Sequence, residues 1–134
     1  MKQVFWSLFT SLALLFSLSA QAAPELVNPA PIAVPAKLAE VQVTGDIKYA
    51  LANRGWVVNG ESKGRIDASL SLRTHIARIV IYHDRQQVRI EYVSSENLKY
   101  KEKNGKRYIH RNYLSWIQNL SNDISKNMQL SALK

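Results

Sequence analysis

Arg65-Ile66-Asp67-Ala68-Ser69-Leu70-Ser71-Leu72-Arg73 is the stretch whose reading decides the fold. Ile66, Ala68, Leu70 and Leu72 fall on one side of an extended chain, with Arg65, Asp67, Ser69, Ser71 and Arg73 on the other. An apolar period of two predicts a strand with one buried and one solvated face. The apolar phase then moves from even to odd positions and continues through Ala77, Ile79 and Ile81. A one-residue slip would turn that whole set towards water, so the switch requires a turn or bulge near Arg73-Thr74-His75-Ile76. A second strand therefore runs from Ile76 to His83. Asp84-Arg85-Gln86-Gln87 makes a connection of hairpin length, and Val88, Ile90 and Tyr92 mark a third strand. The pattern is an antiparallel meander.

Outward from this centre the period changes. Val43 to Arg54 reads as a helix with Ile47, Ala50 and Leu51 on one face. Thr44 or Asp46 is placed to cap its start, and Gly55 sits where a left-handed C-terminal residue belongs. Trp56 is expected to pack back onto Ile47 and Leu51, and Asn59 to Gly64 reads as a turn-rich loop. Beyond the meander, Asn104-Gly105 is the strongest short hairpin signal in the chain and suits a type I′ turn. Around it, Lys99 to Lys103 and Lys106 to Ile109 form either a protruding fourth-strand ribbon or a mobile loop. Ile109, Tyr113, Trp116, Ile117, Leu120, Ile124 and Met128 recur at three- and four-residue steps, an amphipathic helix with Trp116 on its core stripe. The economical arrangement is an α+β two-layer domain. An antiparallel meander of three to four strands carries an N-terminal and a longer C-terminal helix on one face and leaves the other open.

The ends of the chain are organised differently. Met1-Lys2-Gln3, the apolar run Val4 to Leu18 and Ser19-Ala20-Gln21-Ala22 have the make-up of a secretory signal peptide over 1–22, cut after Ala22. The run is shorter than the roughly 20 residues needed to span a bilayer. All four prolines (Pro24, Pro29, Pro31, Pro35) fall in the next segment, which predicts an extended tether over 23–40. The folded domain is then 41–134, and the expected location is the periplasm.

The chain has 134 residues, 46% apolar and 21% charged, with no Cys and a net charge of +8. That fits one small domain, and it excludes a disulfide scaffold, a thiolate metal site, a Cys nucleophile and a lipidated Cys. Loss of Lys2 with the signal peptide leaves a net +7, and +5 of it lies between Lys99 and Arg111. There Lys99, Lys101, Lys103, Lys106, Arg107 and Arg111 face one acid, Glu102, and are interleaved with Tyr100 and Tyr108. Cations among amphipathic rings suit phosphate or carboxylate groups attached to sugar or acyl parts. A second basic feature is the open sheet face, where Arg65, Arg73, Arg78 and Arg89 are expected to project beside Tyr82. The competing reading is a solvated surface, with Asp67 and Glu91 pairing those arginines across strands and lysines protecting an edge.

Catalytic signatures are scarce. Gly55 to Ser62 has two glycines at P-loop spacing, but Glu61 stands where the lysine must be. His75 and His83 lie at opposite ends of one expected strand, so they cannot share a metal ion, and no metal or cofactor is expected. A hydrolase-type enzyme would draw on His75, His83 or His110 with Asp84 or Glu96, and nothing singles out a nucleophile among Ser62, Ser94 and Ser95. Arg54-Gly55-Trp56, the alternating Gly64 to Tyr92, Ser94-Ser95-Glu96-Asn97-Leu98 and Ile109-His110-Arg111-Asn112-Tyr113 with Trp116 together resemble small exported or lipid-anchored proteobacterial proteins of uncharacterised activity. The resemblance implies an envelope location and an α+β fold. The resulting expectation is a periplasmic, non-enzymatic binding or accessory module. Its partner would be an anionic envelope component (lipopolysaccharide, acidic lipid or glycan, with peripheral membrane contact) or an acidic protein, and not nucleic acid, which export places out of reach. The alternatives are the small envelope enzyme and an inhibitor or chaperone of another exported protein.

Overall fold

A computed structural model describes residues 22–134. The signal-peptide expectation, Ala22 apart, falls outside the described residues. In chain order the elements are β1 (Ile32–Ala33), α1 (Glu40–Asn53), β2 (Val57–Ser62), β3 (Arg65–Leu72), β4 (His75–His83), β5 (Gln87–Glu96), β6 (Lys101–Lys103), β7 (Lys106–Tyr108) and α2 (Arg111–Ala132). β1 to β5 form one sheet in the order β1-β5-β4-β3-β2, and β6 pairs only with β7. All neighbours are antiparallel. The fold is α+β.

The phase switch of the meander is solved by a turn, and β5 carries a bulge. Leu72 pairs with His75, so Arg73 and Thr74 alone link β3 to β4, with Arg73 at φ 57°. In β5, Tyr92 pairs with Ile79 and Ser94 with Arg78, which leaves Val93 as the extra residue of a bulge. The bulge lets β5 continue to Glu96, past the expected end near Tyr92. Ile66, Ala68, Leu70, Ala77, Ile79, Ile81, Val88 and Ile90 then form one apolar face. It is buried against Val43, Ile47, Ala50 and Leu51 of α1 and Tyr113, Ile117, Leu120, Ile124 and Met128 of α2. Each buried valine, leucine, isoleucine or methionine among them contributes about 1.5–3 kcal/mol, and this face holds both helices on one side of the sheet.

Helix α1 starts earlier than the periodicity indicates, and neither expected residue caps it. Ala39 is the cap residue and makes no side-chain cap bond. The Thr44 hydroxyl donates back to the Glu40 carbonyl at 3.1 Å, and Asp46 is buried against α2. The other end is as expected. Gly55 takes φ 81°, its N–H bonds the Ala52 carbonyl, and the Trp56 N–H reaches the Leu51 carbonyl at 2.9 Å. This double closure needs a left-handed residue at Gly55, and it delivers Trp56 into the core cluster with Ile47 and Leu51. The Arg54 guanidinium bonds Asp123 at 2.6 and 3.3 Å and so ties this end of α1 to α2. That pairing holds the Asp123 carboxyl below its ordinary range.

Two expectations are corrected. The turn-rich loop Asn59 to Gly64 is mostly strand: β2 pairs along β3 with a register shift between Val58 and Gly60, and only Lys63-Gly64 remains as a turn. Its polar composition suits an edge strand whose outer side meets water. The proline segment is not a plain spacer. Leu26, Ile32 and Val34 are buried in the core cluster, and β1 pairs with β5. The Leu26 N–H bonds the Arg107 carbonyl at 2.7 Å, and the Ile109 N–H bonds the Pro24 carbonyl at 3.1 Å. Proline favours extended backbone, and here that backbone lies along the sheet edge and the base of the ribbon.

Two outcomes follow from this packing. Leu26→Ala is expected to destabilise the domain by about 2–4 kcal/mol, as truncation of a buried leucine does, measured by urea denaturation; a free tether would give no change. The Asp84 Oδ1 accepts the Gln86 and Gln87 N–H groups at 2.7 and 2.9 Å. These bonds, Gln86 first, hold its carboxyl below the ordinary range. A depressed folded-state value means that the stabilisation is present above the unfolded carboxyl value and is lost as pH falls through the folded one. Asp84→Asn is therefore expected to flatten the acid limb of a stability-versus-pH curve, read by thermal melts.

Candidate functional site

The two basic features sit in different electrostatic settings. On the helix-free face of the sheet, Arg65 Nη2 lies 3.0 Å from Asp67, Arg89 Nη1 3.0 Å from Glu91, and Arg78 Nη2 3.2 Å from Glu96. Arg65 and Arg89 also flank Tyr82, with guanidinium carbons 5.7 and 5.2 Å from its ring centre. Tyr82 pairs directly with both residues across the strands, which produces this sandwich. The carboxylate partners of Arg65 and Arg89 come from two residues along the same strand, not from across the sheet as expected. Arg73 is corrected too: it occupies the β3–β4 turn and lies outside the strands.

The Lys99–Arg111 segment contains a ribbon. β6 and β7 pair from Lys101 with Tyr108 to Lys103 with Lys106. Asn104 and Gly105 at the tip both take positive φ, 53° and 74°, as a type I′ turn requires. The ribbon is launched by a constrained corner. Asn97 and Lys99 both have positive φ (55° and 56°) and drive Leu98 between them into the core. Its base rests on aromatic rings. Tyr100 stacks on Tyr92 at 4.9 Å, Tyr113 meets Tyr92 edge-on at 5.5 Å, and the Arg107 guanidinium lies 6.0 Å from the Tyr92 ring centre. Tyr100 also donates its hydroxyl to Glu102 at 2.8 Å, and this bond, together with burial, pushes its pKa up. Burial does the same to Tyr113. Tyr92 alternates with Val88 and Ile90, so the ribbon is seated from the helix-covered side of β5, opposite the arginine face.

Among the described residues, the ion pairs engage Lys48, Arg54, Arg65, Arg78 and Arg89, and none engages Lys99, Lys101, Lys103, Lys106 or Arg107. Lys101, Lys103 and Lys106 are exposed. Tyr108 is half-buried at the ribbon base, where it forms a bridge to Glu25. Lys99, His110 and Arg111 line a hollow with Ala22 to Pro24 at the foot of the ribbon, and Glu102 to Arg107 line another at its tip.

The histidines separate into two environments. His75 and His110 come together, with ring centres 6.3 Å apart and Trp116 6.3 Å from His75. His75 Nδ1 bonds the Asn97 carbonyl at 2.6 Å, whereas His110 Nδ1 accepts the Asn112 N–H at 3.0 Å and caps α2. His83 is buried at the far end of β4 with neither ring nitrogen bonded. No hydrogen bond joins any two of His75, His83, His110, Asp84 and Glu96, and among the described residues no three ligating side chains gather as for a metal ion. Sequence reasoning missed the meeting of His75 with His110 and the Tyr92–Tyr100–Tyr113 cluster. Each is assembled from segments distant in the chain, and no local pattern announces it.

No helix among the described residues is long and apolar enough to cross a membrane. The chain matches no protein family, no curated protein and no solved structure in the comparisons made.

Proposed function

We propose that this is an exported, non-enzymatic binding module whose β6–β7 ribbon holds an anionic component of the cell envelope. The observation that carries the reading is the contrast in charge compensation. The sheet-face arginines Arg65, Arg78 and Arg89 each have a carboxylate within 3.2 Å, whereas among the described residues Lys99, Lys101, Lys103, Lys106 and Arg107 have no ion-pair partner. A two-stranded ribbon standing off the domain lets several lysines approach one charged surface together. The tyrosines and Arg107 at its base keep it oriented, so less conformational freedom is lost on contact. The signal-peptide pattern of the first 22 residues supports an envelope setting, where anionic lipid and lipopolysaccharide headgroups are the abundant surfaces.

Each lysine near an anionic surface contributes about 1 kcal/mol. The triple variant Lys101→Gln, Lys103→Gln, Lys106→Gln is therefore expected to weaken binding to phosphatidylglycerol-containing vesicles or lipopolysaccharide by about a hundredfold at low salt, with an unchanged circular dichroism spectrum. Rising salt should erase the difference. The control Arg65→Gln, Arg78→Gln, Arg89→Gln should bind within about twofold of the parent. No binding by the parent at low salt, or equal binding by the lysine variant, overturns the reading.

A further inference from the structure

Asp46 is a charged side chain at 7% exposure between α1 and α2. Its Oδ1 accepts from the Ser131 hydroxyl at 2.9 Å and the Gln42 amide at 3.3 Å. Its Oδ2 is shut away from solvent with no hydrogen-bond partner. Asn127 donates to the Asp46 main-chain carbonyl at 3.2 Å, not to the carboxylate. A buried carboxylate oxygen left unpaired is costly, and no cation pairs with Asp46 within the described chain. Asp46 lines an open groove of about 220 Å³ together with Gln42 and Tyr49 of α1, Asn127, Leu130 and Ser131 of α2, and Lys134. Tyr49 is 67% exposed and Leu130 51% exposed, so the groove has a ring and an alkyl wall open to solvent. The C-terminal end of α2 meets the same groove, and the last turn of a helix carries partial negative charge. No basic side chain lies in that last turn, and Lys134, which follows it in the lining, forms no ion pair with Asp46.

These features converge on an organic cation. With no three ligating side chains nearby, a divalent metal does not fit. A guanidinium fork needs two carboxylate oxygens, and Oδ2 is closed off from solvent, so only Oδ1, beneath the Gln42 amide, can be reached. One reachable oxygen suits a point charge. We propose that the groove binds a primary alkylammonium group, with its N–H on Asp46 Oδ1 in the place of the Gln42 amide, its charge offsetting the unpaired Oδ2 and its carbon chain along Tyr49 and Leu130. The Gln42 amide, which spans Asp46 and Ser131 from the rim (3.1 Å to the Ser131 hydroxyl), is the group that the ligand displaces. This site is independent of the ribbon and opposite to it in charge preference.

The test is an NMR titration of the full domain with n-butylammonium chloride, with 1-butanol as the neutral isostere and a blocked Gly-Lys-Gly peptide as the protein-borne version. Saturable shifts at Tyr49, Asn127 and Ser131 are expected with the ammonium probes and none with butanol. Asp46→Asn should abolish the shifts while its Tm stays at or above that of the parent, because the orphan charge is gone. Tyr49→Ser, on an exposed position that leaves folding intact, should weaken binding about fivefold. Tighter binding of the peptide assigns the ammonium to a lysine side chain, and tighter binding of butylammonium assigns it to a free amine. The proposal is overturned by absence of saturable shifts in the parent, by shifts that survive Asp46→Asn, or by equal binding of butanol. The lysine-to-glutamine ribbon variant should bind butylammonium as the parent does, which keeps the two readings separately testable.

Discussion

Ile66, Ala68, Ile79, Ile81, Val88 and Ile90 share one side of the β3–β4–β5 meander, and their removal from water constrains nearly everything else in the molecule. Strand side chains alternate, so a slip of one residue would expose the whole set. The register must therefore be kept through two connections and one irregularity. The Arg73–Thr74 link keeps it between β3 and β4, and the Val93 bulge keeps it in β5. Both helices are drawn to the same face, where they also pack against each other. The opposite face is left without a cover, and that is where the charged residues of β3, β4 and β5 collect.

The consequences of this one-sided burial differ between the two basic regions. On the open face, Arg65 and Arg89 pair with carboxylates two residues along their own strands and Arg78 pairs across to Glu96 of β5, so that surface is largely self-compensated. Tyr82 between Arg65 and Arg89 adds a cation–π sandwich. The ribbon cannot be compensated in this way. It carries Glu102 as its one acid, and that carboxylate accepts the Tyr100 hydroxyl. Its rigidity comes from below, through Tyr92, which joins the sheet, the ribbon and α2 in one aromatic contact.

The proline segment shows how the same local preference serves two ends. Extended backbone suits a tether, and it equally suits a strand laid on an edge. Alternating Pro29, Pro31 and Pro35 with Ile32 and Val34 leaves few N–H groups to satisfy and places two apolar side chains in the core. The stretch closes the domain by bonding to β5 at one end and to β7 at the other. Composition marked a boundary near residue 40 that the packing does not observe.

What the sequence alone determined are the features set by near neighbours along the chain. These are the period-two strands, the phase switch near Arg73 to Ile76, the two amphipathic helices, the Gly55 helix end, the Asn104-Gly105 turn and the local excess of charge between Lys99 and Arg111. From them came the α+β layering and the candidate ribbon. The tertiary structure decided what depends on surfaces meeting from distant segments: Leu26, Ile32 and Val34 in the core, β2 as an edge strand where a loop was expected, His75 beside His110, and the tyrosine seat of the ribbon. It also decided which cations find a partner. The reason is physical: alternation and helical period are properties of a few consecutive residues, whereas burial and charge compensation are properties of the space that the folded chain encloses.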